Sequence, residues 1–517
     1  MIEEKVTVRQ WVAVGGAVLG AFMAILDISI TNSALRDIQG SLGASLDEGS
    51  WISTAYLVAE IMVIPLTGIF SEVFSFRRYL LVNAALFILF SVLCAHSWNL
   101  SSMVLFRALQ GLTGGVLIPT ANTLILTTLP KSKQPIGLAL FGIAATFGPS
   151  IGPTIGGWLT INYGWEYAFY LNIIPGALLI SIIWATVDPT PLKLNLLKGI
   201  DWFGLVCMIL FLGPLTVVLE EGNRKDWFTS DLILWLSVLS FAAGTFFFAS
   251  SLTHPRPIVN LRLFVRRNFF FSSFLILALG VSLYGSIYIV PVYLSSIQNY
   301  NALQIGKVLM WVGFPQLLII PFIPKLLQKF DPRLLIGFGV VMMTTSFWMN
   351  TSLTHDYAYD QFRWSQLVRA IGQPFIITPL AVTTYEGIAK MDLGSASGLF
   401  NMLRNLGGSI GISMLSTVLT WRYRLHFNRL GEHVTLLSQP VAQRLSTLAA
   451  GFVSKGAAGP VAQGQAIQAL GGALNREANI MAFIDCFWLM AVSLGLAGLG
   501  LFMMRKPRQV SSSVVGH

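Results

Sequence analysis

Apolar positions in this chain come in long runs, not in the alternation expected of a strand. Fourteen such runs can be drawn, at about 11–33, 50–71, 79–96, 101–124, 135–160, 166–187, 202–220, 231–251, 269–293, 303–327, 333–352, 364–386, 394–420 and 479–503. Each is long enough for a helix that crosses a bilayer, which takes roughly 20 residues. The runs at 202–220 and 364–386 are the weakest, because each carries prolines or charge near an end. The pattern predicts an all-α integral membrane protein with fourteen spans.

Composition narrows the class. Of 517 residues, 54% are hydrophobic and only 11% are charged, and the mean hydropathy is +0.69. Soluble domains average about 25% charged residues. A net charge of +10 would suggest a nucleic-acid partner in a soluble protein. Here it reads as basic cytoplasmic loops. With the N-terminus cytoplasmic, Lys5 and Arg9, Arg77 and Arg78, Lys131 and Lys133, and Lys193 and Lys198 fall inside. So do Arg256 to Arg267, Lys325 to Arg333, Lys390, and the tail residues Arg505, Lys506 and Arg508. The short opposite loops hold only Arg36, Arg224, Lys225 and Arg363. That contrast predicts both ends inside. Cys94, Cys207 and Cys486 lie in apolar runs and give neither a disulfide framework nor metal spacing. The first run is long, is interrupted by Asp27 and lacks a small-residue cleavage site, so it does not read as a signal peptide.

The polar positions inside the runs carry the chemistry. Asp27 follows sixteen apolar residues of the first span. A carboxylate at mid-bilayer costs from ~2.5 kcal/mol upward, so such an acid usually faces a bundle interior and handles ions or protons. Counted from Trp11, Asp27 sits roughly 24 Å along a ~30 Å core, so the alternative is an acid near the outer end that reaches water. Arg107, a turn or so inside the fourth span, either snorkels to the interface or pairs with an acid and controls a proton. Glu60 in the second span is a further buried-acid candidate. In the fifth span, Gly148, Pro149, Gly152, Pro153, Gly156 and Gly157 form a stripe. Glycines four apart let another backbone approach closely, and prolines bend a helix. Gly68 and Glu72, followed by Arg77 and Arg78, suggest a clamp of neighbouring helices at the cytoplasmic face; alone, the two arginines are only a positive-inside signal. Asn401, Arg404 and Asn405 make a polar patch at helical spacing that lines a pathway or seals two halves. Glu386 and Asp485 fall near span ends and read as interfacial.

These motifs resemble the major facilitator superfamily, and within it the fourteen-span drug/proton antiporters of the EmrB/QacA type. The resemblance rests on Leu26-Asp27 with Ile30-Thr31-Asn32, on Arg107 to Gly111, and on the Gly-Pro run at 148–157. It also rests on Gly164 to Gly176, Pro257 to Phe269, and Gly407 to Gly411. Two positions depart from it: Glu72 replaces the usual aspartate of the clamp, and Ser75 replaces a glycine. The resemblance implies a major facilitator fold of two six-helix bundles with a midplane cavity between them. It divides the chain into an N-terminal bundle at 1–187, two inserted helices at 188–251 and a C-terminal bundle at 252–517. It further implies proton-coupled export of amphipathic drugs or toxic compounds across a bacterial inner membrane. Asp27 and Arg107 stand in its motifs and would couple protons; Glu60 is a further proton-coupling candidate that the motifs do not assign, and Asn32, Asn401 and Arg404 are candidates for the substrate pathway. A dedicated exporter of an endogenous metabolite, such as a siderophore or fatty acid, fits the same motifs.

No G-x-x-x-x-G-K-[ST] loop is present, so the energy source expected is a proton gradient, with no cofactor. No nucleophile–base pair or metal-ligand set points to an enzyme. Residues 421–478 stand apart as a long outer loop. Its stretches at 441–455 and 466–479 read as amphipathic helix, interrupted from Gly456 to Pro460. The resemblance implies a periplasmic adaptor protein and an outer-membrane channel as partners, and this segment is where an adaptor would dock. The alternative is a solvated loop on the membrane surface.

Overall fold

The computed structural model describes residues 6–435 and 438–505. Lys5, Lys506 and Arg508, used above to orient the chain, lie outside the described residues. The described chain is helical throughout, with no strand. In order, the helices are α1 (Val8–Ser41), α2 (Trp51–Val73), α3 (Phe76–Ala95), α4 (Leu100–Thr128), α5 (Gln134–Tyr163), α6 (Tyr167–Thr186), α7 (Trp202–Glu221) and α8 (Asp231–Thr253). There follow α9 (Arg267–Ser296), α10 (Leu303–Lys329), α11 (Pro332–Ser352), α12 (Tyr359–Tyr385), α13 (Leu393–Glu432), α14 (Gln439–Val453) and α15 (Gly459–Met503). Thirteen of them are long and apolar enough to cross a membrane. Helix α13 has the length, 40 residues, but polar groups such as Asn401, Arg404 and Asn405 dilute its hydropathy. It is packed between α9 and α15.

The packing repeats itself. Helix α1 lies along α5, and α9 lies along α13. Helix α2 packs on α4, and α10 packs on α12. The two sets of six, α1–α6 and α9–α13 with α15, meet where α5 crosses α10 and α12, and where α13 crosses α2 and α4. Helix α7 leans on that seam through α2 and α13, while α8 packs chiefly on α7.

Local chemistry explains several joints. Gly148, Gly152 and Gly156 bring α5 onto α1: a Cβ at Gly152 would lie 2.5 Å from the Ser29 side chain, and one at Gly156 3.0 Å from the Ile30 carbonyl. Gly157 is also buried. Pro153 has no N–H for the Pro149 carbonyl four residues back, and the Ser29 hydroxyl donates to that carbonyl at 3.3 Å. Ser75, where glycine was expected, still makes the turn, at φ +69°. Its hydroxyl accepts from the Thr190 backbone N–H at 3.2 Å.

Two expectations are corrected. The first span runs to Ser41, well beyond 33, so Asp27 lies at mid-helix and not near an end. In the segment 421–478, the helices expected at 441–455 and 466–479 are present, but the reading of the whole as an outer loop between spans is corrected. Helix α13 continues to Glu432 and α15 already begins at Gly459, so most of the segment prolongs two spans, with α14 packed along α15. Buried Ala462 and Ala466 on α15 lie one turn apart, at the small-residue spacing that permits a close helix approach. The break falls at the Gly456–Pro460 stretch, as its residues suggest.

Candidate transport site

Asp27 and Arg107 meet. The Arg107 Nη1 donates to Asp27 Oδ2 at 2.7 Å, and both side chains are essentially unexposed. The other carboxylate oxygen accepts from Gln110 Nε2 at 3.0 Å and from Asn172 Nδ2 at 2.6 Å. Gln110 and Asn172 both donate to the Ser91 hydroxyl, at 2.7 and 3.2 Å. Arg107 also donates to Gln110 Oε1 at 2.6 Å and to the Ile52 carbonyl at 3.3 Å, and its guanidinium lies 4.3 Å from the centre of the Tyr56 ring. Helices α1, α2, α3, α4 and α6 thus converge on one carboxylate. Every contact to it is a donor, which suits the ionised form, since an ionised carboxylate only accepts. The readings of Asp27 as a water-reaching acid and Arg107 as a snorkelling residue are both excluded by this burial.

A second cluster lies on the seam. Glu60 is 1% exposed, and its Oε1 has no hydrogen-bond partner. Arg404 and Asn405 of α13 are the groups of the other bundle that act on it. Arg404 leaves Nε and Nη2 without partners. Tyr284 of α9 donates to Asn405 Oδ1 at 3.4 Å. Tyr56, one helical turn before Glu60, stacks on Arg107 and so joins the two clusters.

Glu60, Tyr284 and Asn405 line a cavity of about 720 Å³ between the bundles. Its walls also include Asn32, Pro149 and Pro153. Arg36 and Asp37 of the α1 C-terminal end, with Tyr300 and Asn301 beyond α9, place its mouth on the face that holds the α1–α2 connection. On the opposite face the bundles touch. A Cβ on Gly68 would lie 2.7 Å from the Gly394 backbone, and the Ser397 hydroxyl donates to the Pro119 carbonyl at 3.1 Å. Asn401 is fully buried one turn further along α13, and its amide donates to the Ser397 carbonyl.

The expected clamp does not assemble as such. Glu72 pairs with Lys193 at 2.9 Å, Arg77 donates to the Trp184 carbonyl at 2.7 Å, and Arg78 is exposed. Glu72 and Arg77 thus reach to the segment around and after α6, while Gly68 touches the other bundle at Gly394. Asp485 is held by Arg422 and His426, so it joins α15 to α13.

Sequence reading missed several groups. Gln110 and Asn172 stand inside quoted motifs, yet neither was picked out as a ligand of Asp27. Glu220, on α7, also lines the cavity with its Oε1 unpartnered. Arg369 and Gln373 of α12 border a side pocket.

Two helical bundles around a cavity, with a buried ion pair beside it, make a transporter and not an enzyme. The chain belongs to the Major Facilitator Superfamily, which it matches over residues 17–412. It is similar to the colistin resistance protein EmrB of Acinetobacter baumannii, at 34% identity over 96% of each chain. It is also similar to the multidrug export protein EmrB of Escherichia coli K12, at 30% identity over 95% of this chain and 94% of that one. Among solved structures, the human organic anion transporter MFSD10 shares the fold, with a TM-score of 0.62 at 14% identity over 95% of this chain and 99% of that one.

Proposed function

We propose that this chain exports amphipathic drugs or toxic compounds across a bacterial inner membrane, driven by inward proton flow. The observation that carries the reading is the buried Asp27–Arg107 pair linked through Tyr56 to Glu60 on the cavity wall. The names of the EmrB relatives support drug export. Basic residues support fourteen spans, α13 among them, with both ends cytoplasmic. In that orientation the cavity opens outward and the Gly68–Gly394 contact closes the cytoplasmic side. The two inserted helices are then α7 and α8, between bundles at 1–187 and 252–517.

The residues suggest how coupling works. Of the acids on the cavity wall, Glu60 is the one joined through Tyr56 to the Asp27–Arg107 pair. Protonating Asp27 would place a proton against the Arg107 donor, so the pair must separate to accept it. A proton passed from Glu60 toward Asp27 would free Arg107, loosen the α1–α4 contact and favour the inward-open state. There the proton leaves and Asp27 pairs with Arg107 again. An amphipathic compound then binds and the carriers return. The α14 hairpin stands on the outer side and is the surface for a periplasmic adaptor, which with an outer-membrane channel would complete a tripartite pump.

Reconstitution into vesicles with an imposed pH gradient tests this. Uphill movement of at least one compound from a drug panel should follow the gradient and stop when an ionophore collapses it. Uphill movement that ignores the ionophore would refute proton coupling.

A further inference from the structure

Arg369 on α12 is 3% exposed. No carboxylate among the described residues pairs with it, and no charged side chain among them acts on it. Its Nε has no partner, and one Nη2 reaches the Leu283 carbonyl at a long 3.4 Å. A guanidinium cannot lose its proton here, and a buried charge without a counter-charge is costly. The groups around it do not supply one. Thr146 and Ser150 donate their hydroxyl protons to carbonyls of their own helix, and Gln373 accepts from Gln316.

The site around Arg369 is also open on one side. Arg369, Gln373, Thr146 and Ser150 line a side pocket of about 10 Å³, room for one oxygen-sized group. Pro149, Ile287 and Leu309 wall both this pocket and the 720 Å³ cavity. The two spaces are therefore neighbours, with only these three side chains between the cavity and the Arg369 pocket.

We propose that Arg369 is the anchor for an anionic oxygen of an amphipathic substrate, a carboxylate in the simplest case, while the apolar body of that substrate occupies the central cavity. This rests on the reading of that cavity as the substrate cavity. The pocket is too small for a bulky head, so it selects one oxygen of the group and not a whole ring. Thr146 and Ser150 stand on α5 beside the Gly-Pro stripe, so an anion held here bridges the two bundles at the α5–α12 contact.

The test is binding to the purified full-length transporter in nanodiscs, by calorimetry and without a proton gradient. The probes are 1-naphthaleneacetate and 1-naphthaleneacetamide, which share an apolar body and differ in charge. Wild type should bind the acid about ten-fold or more tightly than the amide, the scale of a charge-assisted hydrogen bond. Arg369→Gln should lose that preference while binding the amide as before. Arg369→Lys, which keeps the charge without the planar fork, should retain part of it. Equal binding of acid and amide by wild type would overturn the proposal, and that result needs no variant to fold. A preference that survives Arg369→Gln would overturn it too. So would thermal stabilisation by chloride over gluconate with no acid preference, which would make the pocket an inorganic-anion site. Failure here, with proton-driven export of neutral compounds intact, would leave the transport function standing.

Discussion

Arg107 and Arg369 occupy matching helices of the two bundles, α4 and α12, and they live in opposite ways. Each is followed by alanine, and each has a glutamine about one turn on, Gln110 and Gln373. Each is all but unexposed. Arg107 finds Asp27 on the neighbouring α1, in a shell that gives both carboxylate oxygens a donor. Arg369 finds on α9, the counterpart of α1, only a backbone carbonyl. Burying an arginine is expensive, and the two bundles offset that cost differently. One supplies an internal carboxylate, which makes a closed pair. The other leaves the charge without a carboxylate among the described residues, which is the basis for proposing a substrate site there. On the proposals above, the same local pattern would divide coupling from recognition between the halves.

Removing each arginine should break the symmetry most visibly. Arg107→Gln strands Asp27 in the interior, so thermal unfolding should show a loss of about 3–5 kcal/mol and export should vanish. Arg369→Gln strands no partner, so its unfolding temperature should stay at or above that of wild type. Comparable destabilisation by both changes would mean that Arg369 has a structural partner after all. Asp27→Asn comes next. It keeps size and most hydrogen bonds, so the protein should remain in the membrane, yet gradient-driven export should be lost. Efflux at the wild-type rate would remove Asp27 from coupling.

The sequence reveals unequal parts of this comparison. Apolar runs place nearly every helix, because a bilayer demands long uninterrupted stretches. The polar helix α13 is visible for the same reason, although its charge weakens the signal. Asp27 and Arg107 stand out one by one, since each is a lone charge in hydrocarbon. Their union across 80 residues is not written in either segment. Helix periodicity says nothing about which faces of distant helices meet. The same blindness suggested Glu72, Arg77 and Arg78 as one clamp, because they are close in sequence. The fold instead gives Glu72 to Lys193 and Arg77 to Trp184. Arg369 lies in a run weakened by its own polarity, and only a comparison of Arg107-Ala108 with Arg369-Ala370 would have drawn it out.

Smaller changes sharpen the contrast. Gly152→Leu would drive a side chain into Ser29, so the α1–α5 contact must open; export should fall roughly ten-fold or more, with expression checked by fluorescence-detected size exclusion. Gln373→Glu would give Arg369 a carboxylate one turn away, in imitation of the closed pair. It should abolish the preference for an anionic probe and leave binding of the neutral one within about two-fold, since a charge pair satisfied internally no longer draws one from outside. The mildest change is to replace residues 435–470 by a flexible linker. It removes α14 and the first turns of α15, outside both arginine sites. Transport in vesicles should be unchanged, while drug resistance in cells and co-purification with an adaptor should be lost. Unaltered resistance would make the hairpin dispensable.

The central claim is that substrate and proton compete through the acids of one bundle. The most direct measurement is proton release on binding, followed by a pH indicator with purified protein in weakly buffered detergent solution. Adding a transported compound should acidify the solution with wild-type protein. The signal should be lost with Asp27→Asn, and with Glu60→Gln if the cavity acid is the relay. Saturating binding of that compound with no change in pH would contradict the account.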